Sequence, residues 1–267
     1  PRCGGQKSVK MRFTREITDE MTKNYYGSLC TEMYEILHKE APQDELEFYL
    51  SYAEKGMSIF EPLCGSGRFL VPFLERGYDI CGMDLSTEML AKLKEKAPDA
   101  RVVQGDVLEY EPEKKFDYIF ISSGSVSLFT DMQLCRKILL KMKRLLRKGG
   151  KFVFAVDTVE DRCPDDAEYR TSVSVKTKDG FTLILKGKNY YDETTNTQYA
   201  PSIYELYDGT TLLQQERMDF QTHLYELGEI EPYLKDIGFS QVHVYSSYDK
   251  VIAENNGTDM FLYECSF

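Results

Sequence analysis

Residues 57–84, MSIFEPLCGSGRFLVPFLERGYDICGMD, predict a strand, a glycine turn, a helix and a second strand. Residues 58–62 are a short apolar run with an acid near its end, and residues 64–67 are all small. Residues 68–76 carry apolar side chains at helical spacing, and Gly77 is suited to end that helix. The second predicted strand follows, with Asp84 at its carboxyl end. This succession is the unit from which open α/β sheets are built.

The glycine turn at the start of a helix indicates a nucleotide site. Glycine lets the backbone approach a ligand where a Cβ atom would collide. The free N–H groups of a helix N-terminus, at its positive dipole end, attract an anion. Asp84 is placed to accept hydrogen bonds from ribose hydroxyls, and the ligand should lie outside the carboxyl ends of the strands.

Two classes of ligand fit this unit. A dinucleotide site requires G-x-G-x-x-G; Gly65 and Gly67 supply two of the glycines, but Leu70 stands at the third position. A pyrophosphate is disfavoured beside the carboxylate of Glu61, whereas an ammonium group is favoured there. A ligand with adenosine at one end and an amino acid at the other would use both Glu61 and Asp84.

At these residues the sequence resembles the class I S-adenosylmethionine-dependent methyltransferases. Their first motif is an acid followed by x-G-x-G-x-G, which residues 61–67, EPLCGSG, match with Leu63 in place of the first glycine. Further matches follow in order over about residues 57–157: Asp84 in GMDLS, Gly105-Asp106-Val107, FDYIFISSGSVSLF at 116–129 and LLRKGGKFVF at 145–154.

The resemblance implies S-adenosylmethionine as the cofactor. It assigns the adenine amino group to Asp106 and the ring edge to the backbone of Val107. It also implies that N-terminal helices cover the cofactor, for which Tyr25 and Tyr26 are candidates. The expected cofactor-binding residues are Glu61, Leu63, Cys64, Gly65, Gly67, Arg68, Asp84, Leu85, Gly105, Asp106, Val107, Ser122 and Ser123.

The expected fold is α/β: a Rossmann-like, doubly wound, seven-stranded sheet with a C-terminal β-hairpin and an N-terminal helical cap over residues 12–56. Core residues 131–147 and 228–237 predict helices, and residues 151–157 predict the fifth strand. After Asp157, four strand-like runs separated by hairpin signals predict an inserted antiparallel β-sheet, at 170–177, 181–191, 197–207 and 211–225. The expected division is 1–56 for the N-terminal tail and helical cap, 57–160 for the cofactor-binding core, 161–226 for the inserted sheet and 227–267 for completion of the core.

Composition narrows the class of protein. The formal net charge of −11 repels phosphate backbones, so we expect no nucleic-acid partner. No apolar run approaches the ~20 residues of a membrane span, and residues 1–10 lack the apolar centre of a signal peptide. Seven cysteines without a C-x-x-C pair indicate reduced thiols in a cytoplasmic protein, and no set of ligands suggests a metal.

The expected function is methyl transfer to a small-molecule acceptor by direct displacement, with release of S-adenosylhomocysteine. Within the resembling family, an inserted sheet is typical of enzymes that act on small amines, amino acids and sugars. The tyrosine-rich sheet suits acceptor recognition or a homodimer interface equally well. Two alternatives stay open: an NAD-dependent oxidoreductase and a non-catalytic S-adenosylmethionine-binding protein.

A general base is optional for an acceptor that is already neutral, and four side chains are candidates: Tyr26, Asp157, Glu205 and His223. Orientation of the acceptor in line with the carbon–sulfur bond is the main task, and orientation alone contributes roughly 7–11 kcal/mol. Alternation along its strand places His223 with Arg217 and Asp219, so we expect this imidazole to face solvent.

Overall fold

The computed structural model describes residues 22–267, which form two β-sheets and six α-helices. The helices are α1 (Ser28–Leu37), α2 (Gln43–Leu50), α3 (Leu70–Glu75), α4 (Thr87–Lys96), α5 (Met132–Leu145) and α6 (Glu231–Asp236). The strands are β1 (Thr22–Lys23), β2 (Ser58–Pro62), β3 (Asp79–Asp84), β4 (Arg101–Gln104), β5 (Phe116–Ile121), β6 (Leu146–Asp157), β7 (Arg170–Lys176), β8 (Thr182–Gly187), β9 (Tyr190–Asp192), β10 (Thr197–Asp208), β11 (Thr211–His223), β12 (Gln241–Tyr245) and β13 (Met260–Ser266). No helix in this part of the chain is long and apolar enough to cross a membrane.

The larger sheet has seven strands in the order β12-β13-β6-β5-β2-β3-β4. Five neighbouring strands are parallel to one another: β6, β5, β2, β3 and β4. The hairpin β12–β13 adds two antiparallel strands beside β6. From β2 the chain runs outward to β3 and β4, then returns to β5 on the other side. This reversal opens a crevice at the carboxyl ends of β2 and β5, where open α/β sheets bind ligands.

The larger sheet is buried on both faces, as its apolar strands predict. Phe60, Ile119 and Phe152 belong to the core on one face, whereas the adjacent Ile59 and Phe120 belong to the core on the other. All five side chains are fully buried. The predicted α/β class, the seven strands, the closing hairpin and the second antiparallel sheet are confirmed.

The smaller sheet has the order β1-β11-β10-β8-β7, with β9 paired to β10. Its long hairpins are antiparallel, and Leu183, Tyr204 and Met218 on one face pack against Leu29 and Met33 of α1. The cap helix α1 therefore shares a core with the smaller sheet.

Three predicted boundaries differ from the structure. Residues 22–23 were predicted within the helical region 12–56, but they form β1, whose backbone pairs with Met218 and Asp219 of β11; residues 12–21 lie outside the described part. Strand β6 begins at Leu146 rather than at residue 151, because Leu146 pairs with Phe116 and is fully buried. Helix α6 is shorter than the predicted 228–237, since a proline in its first turn fixes the helix start.

Helix α1 receives its N-terminal cap from a distant strand. Gly27 at the N-cap has no side chain to offer, and Glu216 of β11 accepts from the backbone N–H groups of Leu29 (2.9 Å) and Cys30 (3.2 Å). A carboxylate at this position also interacts favourably with the helix dipole. This contact joins the helical cap to the smaller sheet.

Replacement Glu216→Ala should lower the free energy of unfolding by about 1–2 kcal/mol, because two N–H groups lose their acceptor. Urea denaturation measures the loss. Glu216→Gln keeps one acceptor oxygen and should lose less than the alanine variant. Equal stability of all three proteins would show that the long-range cap contributes nothing.

Candidate active site

A cavity of about 390 Å³ lies at the carboxyl ends of the parallel strands. Seven residues predicted to bind the cofactor line it, and they come from the glycine turn and from the segments after β3 and β4: Leu63, Gly65, Asp84, Leu85, Gly105, Asp106 and Val107. The other predicted residues, Glu61, Cys64, Gly67, Arg68, Ser122 and Ser123, lie outside this lining. The cavity therefore occupies the crevice that the order of the strands predicts.

Every second residue of the glycine turn, from Leu63 to Gly67, has a left-handed backbone conformation. The φ angles are +58° at Leu63, +52° at Gly65 and +81° at Gly67, and Cys64 N donates to Met83 O at 2.9 Å. A left-handed conformation costs a non-glycine residue about 1–2 kcal/mol. Leu63 therefore keeps the backbone conformation of the glycine that it replaces in the motif, and its side chain packs against the core and lines the cavity.

The two glycines of the turn, Gly65 and Gly67, have different surroundings. A Cβ atom on Gly65 would meet only Met89 Sδ at 4.0 Å, so the space beside Gly65 belongs to the cavity. A Cβ atom on Gly67 would lie 2.8 Å from Leu93 Cγ of α4. Gly65 leaves room for a ligand, whereas Gly67 allows the turn to pack against α4.

The side chain of Cys64 points into the core rather than into the cavity. It is buried among the apolar residues on the α3 side of the sheet. Burial raises the pKa of the Cys64 thiol well above its ordinary value. Cys64 is thus a packing residue in the structure, and it offers no thiolate to a ligand.

The carboxylate of Asp84 holds the glycine turn through a hydrogen bond to its backbone. Its Oδ2 accepts from Gly65 N at 2.8 Å and its Oδ1 accepts from Ser86 N at 2.9 Å. Burial raises the pKa of Asp84, and these backbone N–H groups partly oppose the rise. Because a carboxylate offers about four acceptor positions, Asp84 keeps capacity for ribose hydroxyls.

A buried cluster of charges adjoins the turn. Arg68 Nη2 donates to Ser123 Oγ at 2.7 Å and lies 3.7 Å from Glu45 Oε2. Glu45 Oε1 in turn accepts from Ser123 N at 2.8 Å, and Ser122 Oγ donates weakly to Glu61 Oε1 at 3.4 Å. The cluster thus contains two carboxylates and one guanidinium group.

Two buried atoms of this cluster have no hydrogen-bond partner within residues 22–267: Glu61 Oε2 and Arg68 Nε. One is an acceptor and the other a donor. Burial raises the pKa of Glu61 well above its ordinary value. Tyr34 connects the cluster to the cavity, since it lines the cavity and its ring centroid lies 5.9 Å from Arg68 Cζ.

The opposite end of the cavity is apolar apart from Asp106. This aspartate begins a 3₁₀ turn by accepting from Leu108 N at 2.9 Å, and Val107 follows with its side chain in the core. Leu134 and Ile138 of α5 complete this end. An apolar slot with one carboxylate at its edge suits a flat heteroaromatic ring that carries an amino group.

The chain before α1, residues 23–26, forms a strap along the cavity, which Lys23, Asn24 and Tyr26 line. Asn24 Nδ2 donates to Leu128 O and to Gln221 O, both at 2.9 Å, and Asn24 Oδ1 accepts from Gln221 N at 2.8 Å. Tyr26 O accepts from Ser86 Oγ at 2.7 Å. The strap therefore joins the smaller sheet, the loop after β5 and the start of α4.

Ten residues of the lining were not among the predicted site residues. Lys23, Asn24 and Tyr34 precede the motif region, and Met83 precedes Asp84 directly. The others are Met89, Ser125, Leu128, Phe129, Leu134 and Ile138. The motif 116–129 could have indicated Ser125, Leu128 and Phe129, whereas nothing in the sequence distinguishes Lys23 and Asn24.

The four candidates for a general base lie in different surroundings. Tyr26 lines the cavity. Asp157, at the end of β6, lies close behind the lining, since its Oδ1 closely approaches Gly124, the neighbour of Ser125.

The prediction that His223 faces solvent is wrong. The imidazole is buried; Nδ1 is 2.9 Å from Thr195 O and Nε2 is 2.6 Å from Glu229 Oε1. Its ring packs edge-on against Tyr225. The segment after β11 folds over the strand and covers this face, and His223 does not line the cavity. Glu205 is likewise engaged elsewhere, in an ion pair with Lys186.

Comparison with known proteins finds methyltransferases. A family profile described as a methyltransferase domain matches residues 59–150. An uncharacterized methyltransferase from Geobacillus sp. (strain WCH70) is 30% identical over 164 residues, which cover 52% of this chain and 76% of that protein. Malonyl-[acyl-carrier protein] O-methyltransferase 1 from Ilyobacter polytropus is 33% identical over 117 residues, which cover 42% of each chain.

Solved structures share the fold at low sequence identity. A methyltransferase from Clostridium acetobutylicum, described as S-adenosylmethionine-dependent, has a TM-score of 0.72 at 16% identity, covering 88% of this chain and 96% of its own. The sugar N-methyltransferase KedS8 from Streptoalloteichus sp. also has a TM-score of 0.72 at 16% identity, covering 98% and 100%.

The chain belongs to the class I S-adenosylmethionine-dependent methyltransferases. This confirms the resemblance inferred from the five ordered motifs and makes S-adenosylmethionine the expected cofactor.

Substitutions at the two glycines of the turn should affect ligand binding and protein stability separately. Gly65→Val should abolish S-adenosylmethionine binding in calorimetry, because its side chain projects into the cavity. Gly67→Ala should lower the free energy of unfolding by about 1–3 kcal/mol, because its Cβ atom overlaps Leu93. A Gly65→Val protein with the affinity of the wild type would show that the turn does not enclose the ligand.

Proposed function

We propose that this protein transfers a methyl group from S-adenosylmethionine to a small-molecule acceptor and releases S-adenosylhomocysteine. One observation carries the proposal. A buried acceptor, Glu61 Oε2, and a buried donor, Arg68 Nε, lack partners within residues 22–267, and Tyr34 connects their cluster to a cavity whose far end suits adenine. Buried polar atoms without partners are rare and costly, so a ligand that supplies both partners is the expected resolution.

The amino-acid portion of S-adenosylmethionine has the complementary chemistry. Its ammonium group can donate to Glu61 Oε2, and its carboxylate can accept from Arg68 Nε. Arg68 is already shared between Glu45 and Ser123, so Glu61 has no cation of its own within hydrogen-bond reach among residues 22–267. The ammonium group would supply that charge.

The nucleoside portion fits the rest of the cavity. Asp84 stands where the ribose hydroxyls would lie, and Asp106 and Val107 border the apolar slot. Gly65 supplies the close approach of the backbone. These assignments follow the order of the motifs along the chain.

When bound, the cofactor supplies a methyl group that is already activated by its sulfonium. The protein therefore needs to hold, cover and orient the reactants rather than form a bond to them. The strap lines the cavity through Asn24 and Tyr26, and we expect it to keep water from the reacting atoms. Asp157 approaches Gly124, the neighbour of the lining residue Ser125.

A small-molecule acceptor is supported by charge and by similarity. The net charge of −11 opposes nucleic-acid substrates and membrane surfaces. KedS8, which shares nearly the full fold, is described as a sugar N-methyltransferase. We propose a cytoplasmic enzyme whose core spans residues 57–160 and 227–267, with residues 161–226 as an inserted unit.

The inserted sheet keeps two roles open, acceptor recognition and a homodimer interface. Tyr190 stacks on Tyr199 with centroids 4.6 Å apart, and Tyr190 and Tyr169 are exposed. Tyrosine is enriched at protein interfaces and also stacks on ligands. Analytical ultracentrifugation of the wild type and of Tyr190→Ser distinguishes the two roles.

Two assays test the proposed function. Calorimetry with S-adenosylmethionine and with NAD should show binding of the first ligand only. Release of S-adenosylhomocysteine in the presence of an acceptor library should then distinguish an enzyme from a protein that only binds the cofactor. Binding of NAD alone would contradict the proposal.

Replacement Glu61→Gln should weaken S-adenosylmethionine binding roughly 10–100-fold, because a charge-assisted hydrogen bond becomes a neutral one. Folding should be preserved, because the raised pKa of Glu61 already favours its neutral form in the free protein. The matched control is Glu75→Gln, an exposed position on α3. Equal affinity of both variants for S-adenosylmethionine would remove Glu61 from the site.

Binding of S-adenosylmethionine should release protons and strengthen as pH rises. Below its raised pKa, Glu61 holds a proton in the free protein, and the ammonium group requires the carboxylate. Calorimetry in phosphate and in Tris, two buffers with different ionisation enthalpies, measures this release. The release should fall in Glu61→Gln. Identical binding enthalpies in the two buffers would contradict the assignment.

A further inference from the structure

An acidic group at the side of the cavity remains without a counterion. Asp157 ends β6, and its backbone N–H donates to Ser127 Oγ at 2.8 Å. In the described residues its carboxylate accepts no hydrogen bond and forms no ion pair. Asp161 lies near Asp157, and Asp259 lies near Asp161. Both are exposed, and neither forms an ion pair in the same part of the chain.

The backbone at Gly124 leaves room for the carboxylate of Asp157. Gly124 has a φ of +66°, and a Cβ atom there would lie 2.1 Å from Asp157 Oδ1. Only glycine allows this approach. The next residue, Ser125, lines the cavity. Asp157 therefore lies close to the part of the cavity lining that Ser125 forms.

We propose that the methyl acceptor is a primary or secondary amine and that Asp157 binds its nitrogen. The inference rests on the proposed methyltransferase function. Three acids with no compensating cation among residues 22–267 favour a ligand that arrives positively charged, and they oppose a carboxylate acceptor. An alcohol would leave the acids uncompensated.

The reaction balances with these groups. The bound ammonium group first loses one proton to the Asp157 carboxylate, which passes it to solvent. The lone pair of the resulting neutral amine forms a bond to the methyl carbon while the carbon–sulfur bond breaks, and that electron pair stays on sulfur. The methylated nitrogen then carries the positive charge. Burial, followed by the charge of Asp161, raises the pKa of Asp157 to about 7, which suits a group that both accepts and releases a proton near neutral pH.

The titratable groups around Asp157 come from each neighbouring element. Tyr26 approaches from the strap, Asp161 from the 3₁₀ turn Val159–Asp161, and Asp259 acts on Asp161 from the segment before β13. All are acids, so none supplies the cation that Asp157 lacks.

The test compares matched acceptors that differ only in the reacting atom, such as glucosamine with glucose and a set of alkylamines with the corresponding alcohols. Release of S-adenosylhomocysteine should occur with amines, and Asp157→Asn should reduce it by at least about 100-fold. Glu160→Gln, the same charge change at an exposed neighbour, should leave it unchanged.

A binding measurement supplies a readout other than turnover. An amine that is methylated should bind the S-adenosylhomocysteine-loaded wild type in calorimetry and bind Asp157→Asn more weakly, while both proteins bind S-adenosylmethionine equally. Release with alcohols alone, with no amine of the set, or equally by Asp157→Asn would overturn the amine assignment in a protein that still binds S-adenosylmethionine. Loss of S-adenosylmethionine binding by the wild type would instead contradict the proposed function itself.

Discussion

The carboxyl edge of the larger sheet gathers more carboxyl groups than the described residues pair with cations there. Glu61 is the penultimate residue of β2, Asp84 ends β3 and Asp157 ends β6, so three parallel strands each place a carboxyl group at this edge. Arg68 is a cation beside this edge, and Glu45 shares it. A site with such an excess is complete only with a ligand that carries positive charge, and S-adenosylmethionine carries it on both sulfur and nitrogen.

The backbone around the crevice is also unusual. Leu63 and Ser123 adopt left-handed conformations, which are unfavourable for residues with a Cβ atom. At Ser123 this conformation directs the N–H group and the hydroxyl toward Glu45. Such outliers persist only where surrounding contacts hold them, and they are frequent at functional sites.

The sequence was sufficient for the parts of the site that are local in the chain. Glu61, Gly65 and Asp84 lie within one strand–turn–helix–strand unit, where motif spacing determines position. Asn24 could not be predicted, because its partner Gln221 lies 197 residues away and the contact exists only after β1 pairs with β11. His223 was misassigned for a similar reason, since alternation along β11 cannot show that the segment with Glu229 covers the outer face.

The side-chain amide of Asn24 connects two parts of the molecule that are far apart in the sequence. It holds Leu128, beside the cavity, and Gln221, on the smaller sheet, with three hydrogen bonds. A shift of the smaller sheet at Gln221 would therefore reach the cavity lining at Leu128 through this one side chain.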